Sequence, residues 1–335
     1  MNMVKTETGG NRMKRTREGG RIPLEEVLPL STPFVINVDP ASACNFKCNF
    51  CFHSGNTKME KKGIMDWITY RTVIKDMKLF ETKIKTLRLY AFGEPLLNPK
   101  LPDMIKLAKD SNVCEDIDTT TNGSLLTPEL NRSIIDAGID RINISVNGIN
   151  SEQYKQFTGC KIDFDHYVNN IAELYHMKNE CVIFIKINGD VISKEDQDKF
   201  IAIFTPISDG CAVEHVMNCW YDFDMDNIET NKKVGVYGQP LTHVNICPYI
   251  FYSFCVQYDG AVSACFLDWN RKLVIGNLYE SSLLDIWDGE LLRTLRYLML
   301  LNHRSTLPIC HNCNQLEAGE PVNIDHLADK LLGII

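Results

Sequence analysis

From Phe34 to Met217 the chain alternates short β-prone runs with amphipathic stretches. That alternation narrows the fold to helices covering a parallel sheet. Six runs read as strands: Phe34 to Val38 (FVINV), Ile84 to Phe92 (IKTLRLYAF), Ile117 to Thr121, Asp140 to Asn147 (DRINISVN), Cys181 to Asn188 (CVIFIKIN) and Val213 to Met217. Apolar residues at helical spacing predict helices over 66–80, 99–108, 163–177 and 193–204. Another opens at Thr127-Pro128-Glu129, where an N-cap is followed by proline at the first helical position. The region spans about 185 residues, whereas a closed eight-unit barrel takes about 250. A partial barrel of six units suits that length, and a doubly wound sheet fits the spacing equally.

Period-two alternation assigns each strand two faces. Ile142, Ile144 and Val146 alternate with Asn143, Ser145 and Asn147; Ile183, Ile185 and Ile187 alternate with Val182, Phe184, Lys186 and Asn188. The isoleucines are expected to pack on the helices and the polar set to line a barrel interior.

After the first strand comes SACNFKCNFCFH, Ser42 to His53, which holds Cys44, Cys48 and Cys51 at C-x3-C-x2-C spacing. A structural zinc site takes four ligands in a closed tetrahedron. Iron–sulfur clusters are held by cysteine thiolates at short spacings like this one. Three thiolates on a four-iron cube leave one iron open to a reactant. The bland alternatives are a chance crowding of cysteines or part of a zinc site. Thirteen cysteines without an export signal favour metal ligation in a reducing compartment, hence the cytoplasm, over disulfides. A net charge of −8 disfavours a general nucleic-acid-binding role. No apolar run reaches the length of a membrane span. Residues 1–32 begin polar, basic and glycine-punctuated (Arg12, Lys14, Arg15, Arg17, Arg21) and are expected to form a disordered tail.

With Phe50 before its third cysteine, the run resembles the signature of the radical S-adenosylmethionine (SAM) enzymes. In that family the open iron chelates SAM and an electron from the cluster releases a 5′-deoxyadenosyl radical. The resemblance implies a partial (β/α)6 barrel. Ala91 to Pro99 (AFGEPLLNP) resembles the family's Gly-Gly-Glu-Pro segment, with Phe92 in place of the first glycine and Gly93, Glu94 and Pro95 matching. This implies contact with the methionyl amino group; glycine permits close backbone approach and a carboxylate suits an ammonium. Thr120 to Gly123 (TTNG) matches the turn after the third strand and brings Asn122 to the pocket; Asn-Gly is also a generic turn. Ser145 matches a fourth-strand position that touches SAM. Phe50 and Phe52 are expected to flank adenine. Lys186 is expected to neutralise a carboxylate, and as an interior lysine needs a partner.

The second half carries Cys247, Gly260 and Cys265, then Cys310-x2-Cys313. The last pair alone would serve as a zinc knuckle. Together the four resemble the twitch domain, the shortened SPASM extension of the family. The resemblance implies one auxiliary [4Fe–4S] cluster besides the SAM-binding one. Cys114, Cys160, Cys181 and Cys211 lack ligand spacing and read as structural. Cys255 and Cys219 are the candidate hydrogen-atom donors, although a buried small hydrophobe is the plainer reading of Cys255.

The expected organisation is a tail over 1–32, a barrel over 33–235, a twitch domain over 240–315 and a helix over 316–335. The cysteine spacing from 247 to 313 is similar to that of the 2-deoxy-scyllo-inosamine dehydrogenase group. This implies oxidation, or alternatively epimerisation, of a sugar or cyclitol carbinol, with flavodoxin or ferredoxin as electron donor. The alternatives are a maturase of ribosomal peptides and a non-catalytic iron–sulfur electron carrier.

Overall fold

The computed structural model describes residues 22–54, 59, 61–217, 219–221, 223, 233–311 and 313–335. Its strands are β1 (Val35–Val38), β2 (Ile84–Leu89), β3 (Cys114–Thr121), β4 (Arg141–Val146), β5 (Val182–Asn188), β6 (Gly210–Glu214), β7 (Ser253–Val256), β8 (Ala261–Ser263) and β9 (Val274–Asn277). They form one sheet in the order β6-β5-β4-β3-β2-β1-β7-β8-β9. The first six strands run parallel, each neighbour following in sequence. The order has no reversal of the kind a doubly wound sheet requires, so the array is an unclosed barrel wall of six β/α units. On its other edge β7 pairs parallel with β1, Val35 opposite Ser253, and β8 and β9 continue antiparallel. The C-terminal cysteine region is therefore built onto the barrel's own sheet.

The strands obey their pattern. Ile142, Ile144, Val146, Ile183, Ile185 and Ile187 are all buried, while Ser145 faces Lys186 in register and Asn143 faces Phe184. Helices Trp67–Met77, Leu101–Ser111, Pro128–Asp136, Phe164–Met177 and Lys194–Phe204 cover the apolar face. Asp66, Thr127, Asp163 and Ser193 each cap a following helix by accepting an N3 amide, as side-chain oxygens at N-caps do.

Several expectations need correction. The tail does not run to residue 32: Leu24–Val27 is a helical turn, and Leu24 and Leu28 are buried in the core. The basic cluster itself lies outside the described residues. The sixth strand sits three residues earlier than expected, over Gly210–Glu214. A helix at Ser151–Thr158, capped by Asn150, was not anticipated. The region 316–335 is not one helix but a turn at Gln315–Ala318 and a short terminal helix at Ala328–Leu332.

Candidate functional site

The cysteine loop leaves the C-terminal end of β1 and is fastened from several sides. Lys47 and Asn49 amides donate to the carbonyls of Thr158 and Phe157. The Asn122 amide donates to Asn45 Oδ1 at 2.8 Å, and Asn45 donates to Ser124 at 2.8 Å. The Cys160 thiol donates to the Asn45 carbonyl at 3.2 Å, so this non-motif cysteine braces the loop. Cys48 Sγ lies 3.9 Å from Asn147 Oδ1 at the end of β4.

The glycine–glutamate segment after β2 meets the same loop. A Cβ on Gly93 would collide with the backbone oxygens of Ala41 and Ala43, so only glycine fits this crossing. Glu94 is buried. Its carboxylate accepts from Thr121 Oγ1 at 2.5 Å, the Asn122 amide at 2.7 Å and the Leu96 amide at 3.0 Å. Burial outweighs these bonds and pushes its pKa up to about 7. A carboxylate has about four lone-pair sites, so one remains for an ammonium. Pro95 starts the single turn Pro95–Leu97 that follows. Buried His53 donates a ring N–H to the Phe92 carbonyl at 2.5 Å, and burial lowers its pKa, keeping it neutral. Asp39 accepts from the Phe92 amide and the Ser42 hydroxyl. Neither residue was singled out in the sequence, although both flank the cysteine run.

Ser145 and Lys186 sit side by side on the interior face, and Lys186 finds its partner in Glu214 at 3.0 Å. Below them runs a polar ladder that sequence reasoning missed. Arg88 pairs with Asp118 at 3.4 Å, and Arg141 donates to Asn143 Oδ1 at 3.0 Å while covering the Phe184 ring. Its signal was present in the register-blind pattern: polar residues recur at alternate positions of β2, β3 and β4.

Two aromatic expectations divide. Phe50 is half-buried against the core. Phe52 is not available to adenine: it stacks on Trp269 at 5.0 Å and meets Trp220 edge-on at 4.7 Å. Its ring joins the cysteine loop to the C-terminal region instead.

That region gathers Cys247, Cys265, Cys310 and Cys313 around one cavity, with Tyr249, Arg304, Gln315 and Cys219 also in its wall. Cys219 stands near Cys313, Cys51 and Lys186 at once. Cys255 is fully buried in β7, opposite Asn37 and Ser263, and does not line this cavity.

The cysteines themselves fit iron–sulfur ligation. An amide two residues on points at the sulfur of Cys44 (from Phe46), Cys51 (His53), Cys247 (Tyr249), Cys265 (Leu267) and Cys313 (Gln315). Such N–H groups stabilise a sulfur that carries negative charge. Cys114, Cys181, Cys211 and Cys255 lack this arrangement. Burial pushes Cys44 to about 11, and Cys51, Cys247 and Cys310 to about 12, so bare thiolates need a cationic centre among them. Among the described residues no three His, Cys, Asp or Glu side chains converge on a single metal ion; a four-iron cube holds its thiolates apart.

The radical SAM superfamily model matches residues 38–204, and the SPASM iron–sulfur cluster-binding domain model matches residues 247–314. Among curated relatives, a probable GTP 3′,8-cyclase of Methanococcus maripaludis is 35% identical over 37% of this chain and 39% of its own length, so the chain spans well under half of that relative. The corresponding protein of Methanococcus aeolicus is 34% identical over 67% of this chain and 82% of that protein. The S-adenosyl-L-methionine-dependent 2-deoxy-scyllo-inosamine dehydrogenase of Niallia circulans is 22% identical over 88% of this chain and 97% of the relative. Two solved structures share the fold. BtrN in complex with AdoMet and 2-DOIA aligns with a TM-score of 0.54 and 21% identity over 84% of this chain and 92% of that one. Streptococcus suis SuiB bound to S-adenosylmethionine aligns with a TM-score of 0.62 and 15% identity over 88% and 73%.

Proposed function

The chain belongs to the radical SAM superfamily and carries a SPASM-type iron–sulfur domain, and from that premise we propose that it oxidises a carbinol of a small polyol or amino polyol such as a cyclitol. It is an enzyme, which removes the electron-carrier alternative, and its cofactors are SAM, a SAM-binding [4Fe–4S] cluster and auxiliary iron–sulfur ligation. When bound, SAM and its cluster supply the 5′-deoxyadenosyl radical that takes the carbinol hydrogen.

The residues then have the following roles. Cys44, Cys48 and Cys51 hold the SAM-binding cluster. Glu94 offers its remaining lone pair to the methionyl ammonium, with Gly93 allowing close approach and Asn122 and Ser145 shaping the pocket. Cys247, Cys265, Cys310 and Cys313 hold the auxiliary cluster. Glu214, held by Lys186, is the carboxylate at the strand ends suited to take the hydroxyl proton. The domains divide as barrel over 33–235 and auxiliary domain over 240–315, sharing one sheet.

The observation that carries the reading is the four-cysteine cavity with backbone amides directed at three of its sulfurs, those of Cys247, Cys265 and Cys313. A site closed by four thiolates has no open iron for substrate, and its use is to receive an electron. Oxidation of a radical to a ketone requires such an acceptor. The interior ladder disfavours a polyanionic substrate: Lys186 and Arg88 are each matched by a carboxylate. A nucleoside triphosphate would need cations in excess. The cyclase relatives nevertheless make nucleotide cyclisation the second reading.

The test is anaerobic turnover of reconstituted protein with SAM and a flavodoxin or ferredoxin donor, offered 2-deoxy-scyllo-inosamine, a panel of other cyclitols, or GTP. A cyclitol product lighter by two hydrogens, with one 5′-deoxyadenosine per product, is expected. Turnover of GTP alone would sink the oxidation reading.

A further inference from the structure

We propose that Arg304 is the counter-cation of the auxiliary site: its guanidinium offsets the negative charge gathered among the four cysteines and favours the reduced state there. The inference rests on assigning Cys247, Cys265, Cys310 and Cys313 to the auxiliary cluster.

Arg304 opens the single turn Arg304–Thr306. The Leu307 amide donates to the Arg304 carbonyl at 3.1 Å, and the Cys310 amide donates to the Leu307 carbonyl at 3.1 Å. Two successive turns thus tie the arginine backbone to the first cysteine of the Cys310-x2-Cys313 pair. Buried Leu307 and Ile309 anchor those turns in the core. The Arg304 side chain lines the four-cysteine cavity. Among the described residues it is the one cation of that wall, and no carboxylate lines it. Asp268 is fully buried next to the lining residue Leu267, but its oxygens accept from the Tyr221 hydroxyl and from the Lys272 and Leu273 amides.

Nη1 of Arg304 is buried and has no hydrogen-bond partner. Buried polar groups are seldom left unmet, and a buried charge without a counter-charge is costlier still. The barrel-interior cations differ in this respect, since Lys186 and Arg88 each face a carboxylate. An anionic group held among the four cysteines would supply what Arg304 lacks.

The physical consequence concerns potential. A cube held by four thiolates is negative, and gaining an electron makes it more so. A fixed cation in the wall therefore stabilises the reduced form more than the oxidised one and raises the reduction potential. The wall is otherwise largely apolar, so solvent screens the charge weakly. The step this serves is balanced: the substrate radical gives one electron to the auxiliary cluster and one proton to a base, and the carbonyl forms.

The experiment is a redox titration of the full-length, anaerobically reconstituted chain, followed by electron paramagnetic resonance, in wild type, Arg304→Gln and Arg304→Lys. Each should hold about eight irons, as two four-iron clusters require. In Arg304→Gln the auxiliary cluster should titrate at a more negative potential than wild type, with the SAM-binding cluster unmoved. Arg304→Lys, which keeps the charge, should lie closer to wild type. Loss of the auxiliary iron in Arg304→Gln but not in Arg304→Lys would also support the inference, because the site would then need the charge to form. An unmoved auxiliary potential in Arg304→Gln with iron retained would overturn it and leave the proposed reaction standing. Equal shifts in both variants, or loss of half the iron in both, would overturn it too, since charge would not be the cause. Should wild type itself bind only about four irons, the cysteine assignment fails and this inference with it.

Discussion

Glu94 joins three jobs in one side chain: it caps the turn Pro95–Leu97, fastens Thr121 and Asn122 at the end of β3, and keeps a lone pair unused by these bonds. Glu94→Ala should weaken SAM binding by roughly 10-fold or more, since a charge-assisted bond is worth roughly 1.5–3 kcal/mol. It should also lower stability, because three donors lose their acceptor. Unchanged SAM affinity by calorimetry would reduce the segment to a structural turn. Glu94 and Asp39 also set a pH dependence. Burial raises Glu94 to about 7 and Asp39 to about 6. A raised carboxyl binds protons in the folded state that the unfolded chain has released, so stability falls as pH rises from the unfolded value toward the folded one. Each group contributes a slope of about 1.4 kcal/mol per pH unit within its window. Without SAM, Tm should decline between pH 5 and 7, and Glu94→Gln should flatten the upper part of that decline. SAM should bind more tightly as pH passes 7, when Glu94 ionises against the ammonium.

At the scale of elements, the barrel repeats one device at the lower ends of its strands. Asp140, just before β4, accepts from the Ile117 amide at 2.7 Å and from Lys109 at 2.5 Å. Asp209, just before β6, accepts from the Ile183 amide at 2.7 Å and from Lys178 at 2.6–2.7 Å. In each unit a carboxylate ties the incoming strand to its neighbour and to the lysine at the end of an earlier helix. Asp209→Ala should destabilise the fold by about 1.5–3 kcal/mol through the loss of a charge-assisted bond. Denaturant titration of wild type and variant measures this, and a change under about 0.5 kcal/mol, the level of an ordinary surface substitution, would show the lysine pair to be ornamental.

Across the whole molecule, the sheet continues from the barrel through β7 to β9, so the auxiliary cysteines are held rigidly against the barrel. Their clusters should nevertheless load separately. Anaerobic reconstitution should give about eight irons per chain, and the Cys44/Cys48/Cys51→Ala variant should keep about four. Zinc in place of the second four, measured by elemental analysis, would remove the electron acceptor on which the oxidation reading depends.

The sequence by itself determined the period-two faces of β4 and β5, the helix caps at Thr127 and Ser193, and both cysteine sets. Each of these is written in local spacing, and local spacing is what strand pleat, helix turn and cluster ligation share. It could not show that Phe52 stacks on Trp269, that Cys255 is sealed inside β7, or that Lys186 meets Glu214. Those contacts join residues 28 to 217 positions apart, and only the pairing of β1 with β7 and the register of the parallel strands bring them together.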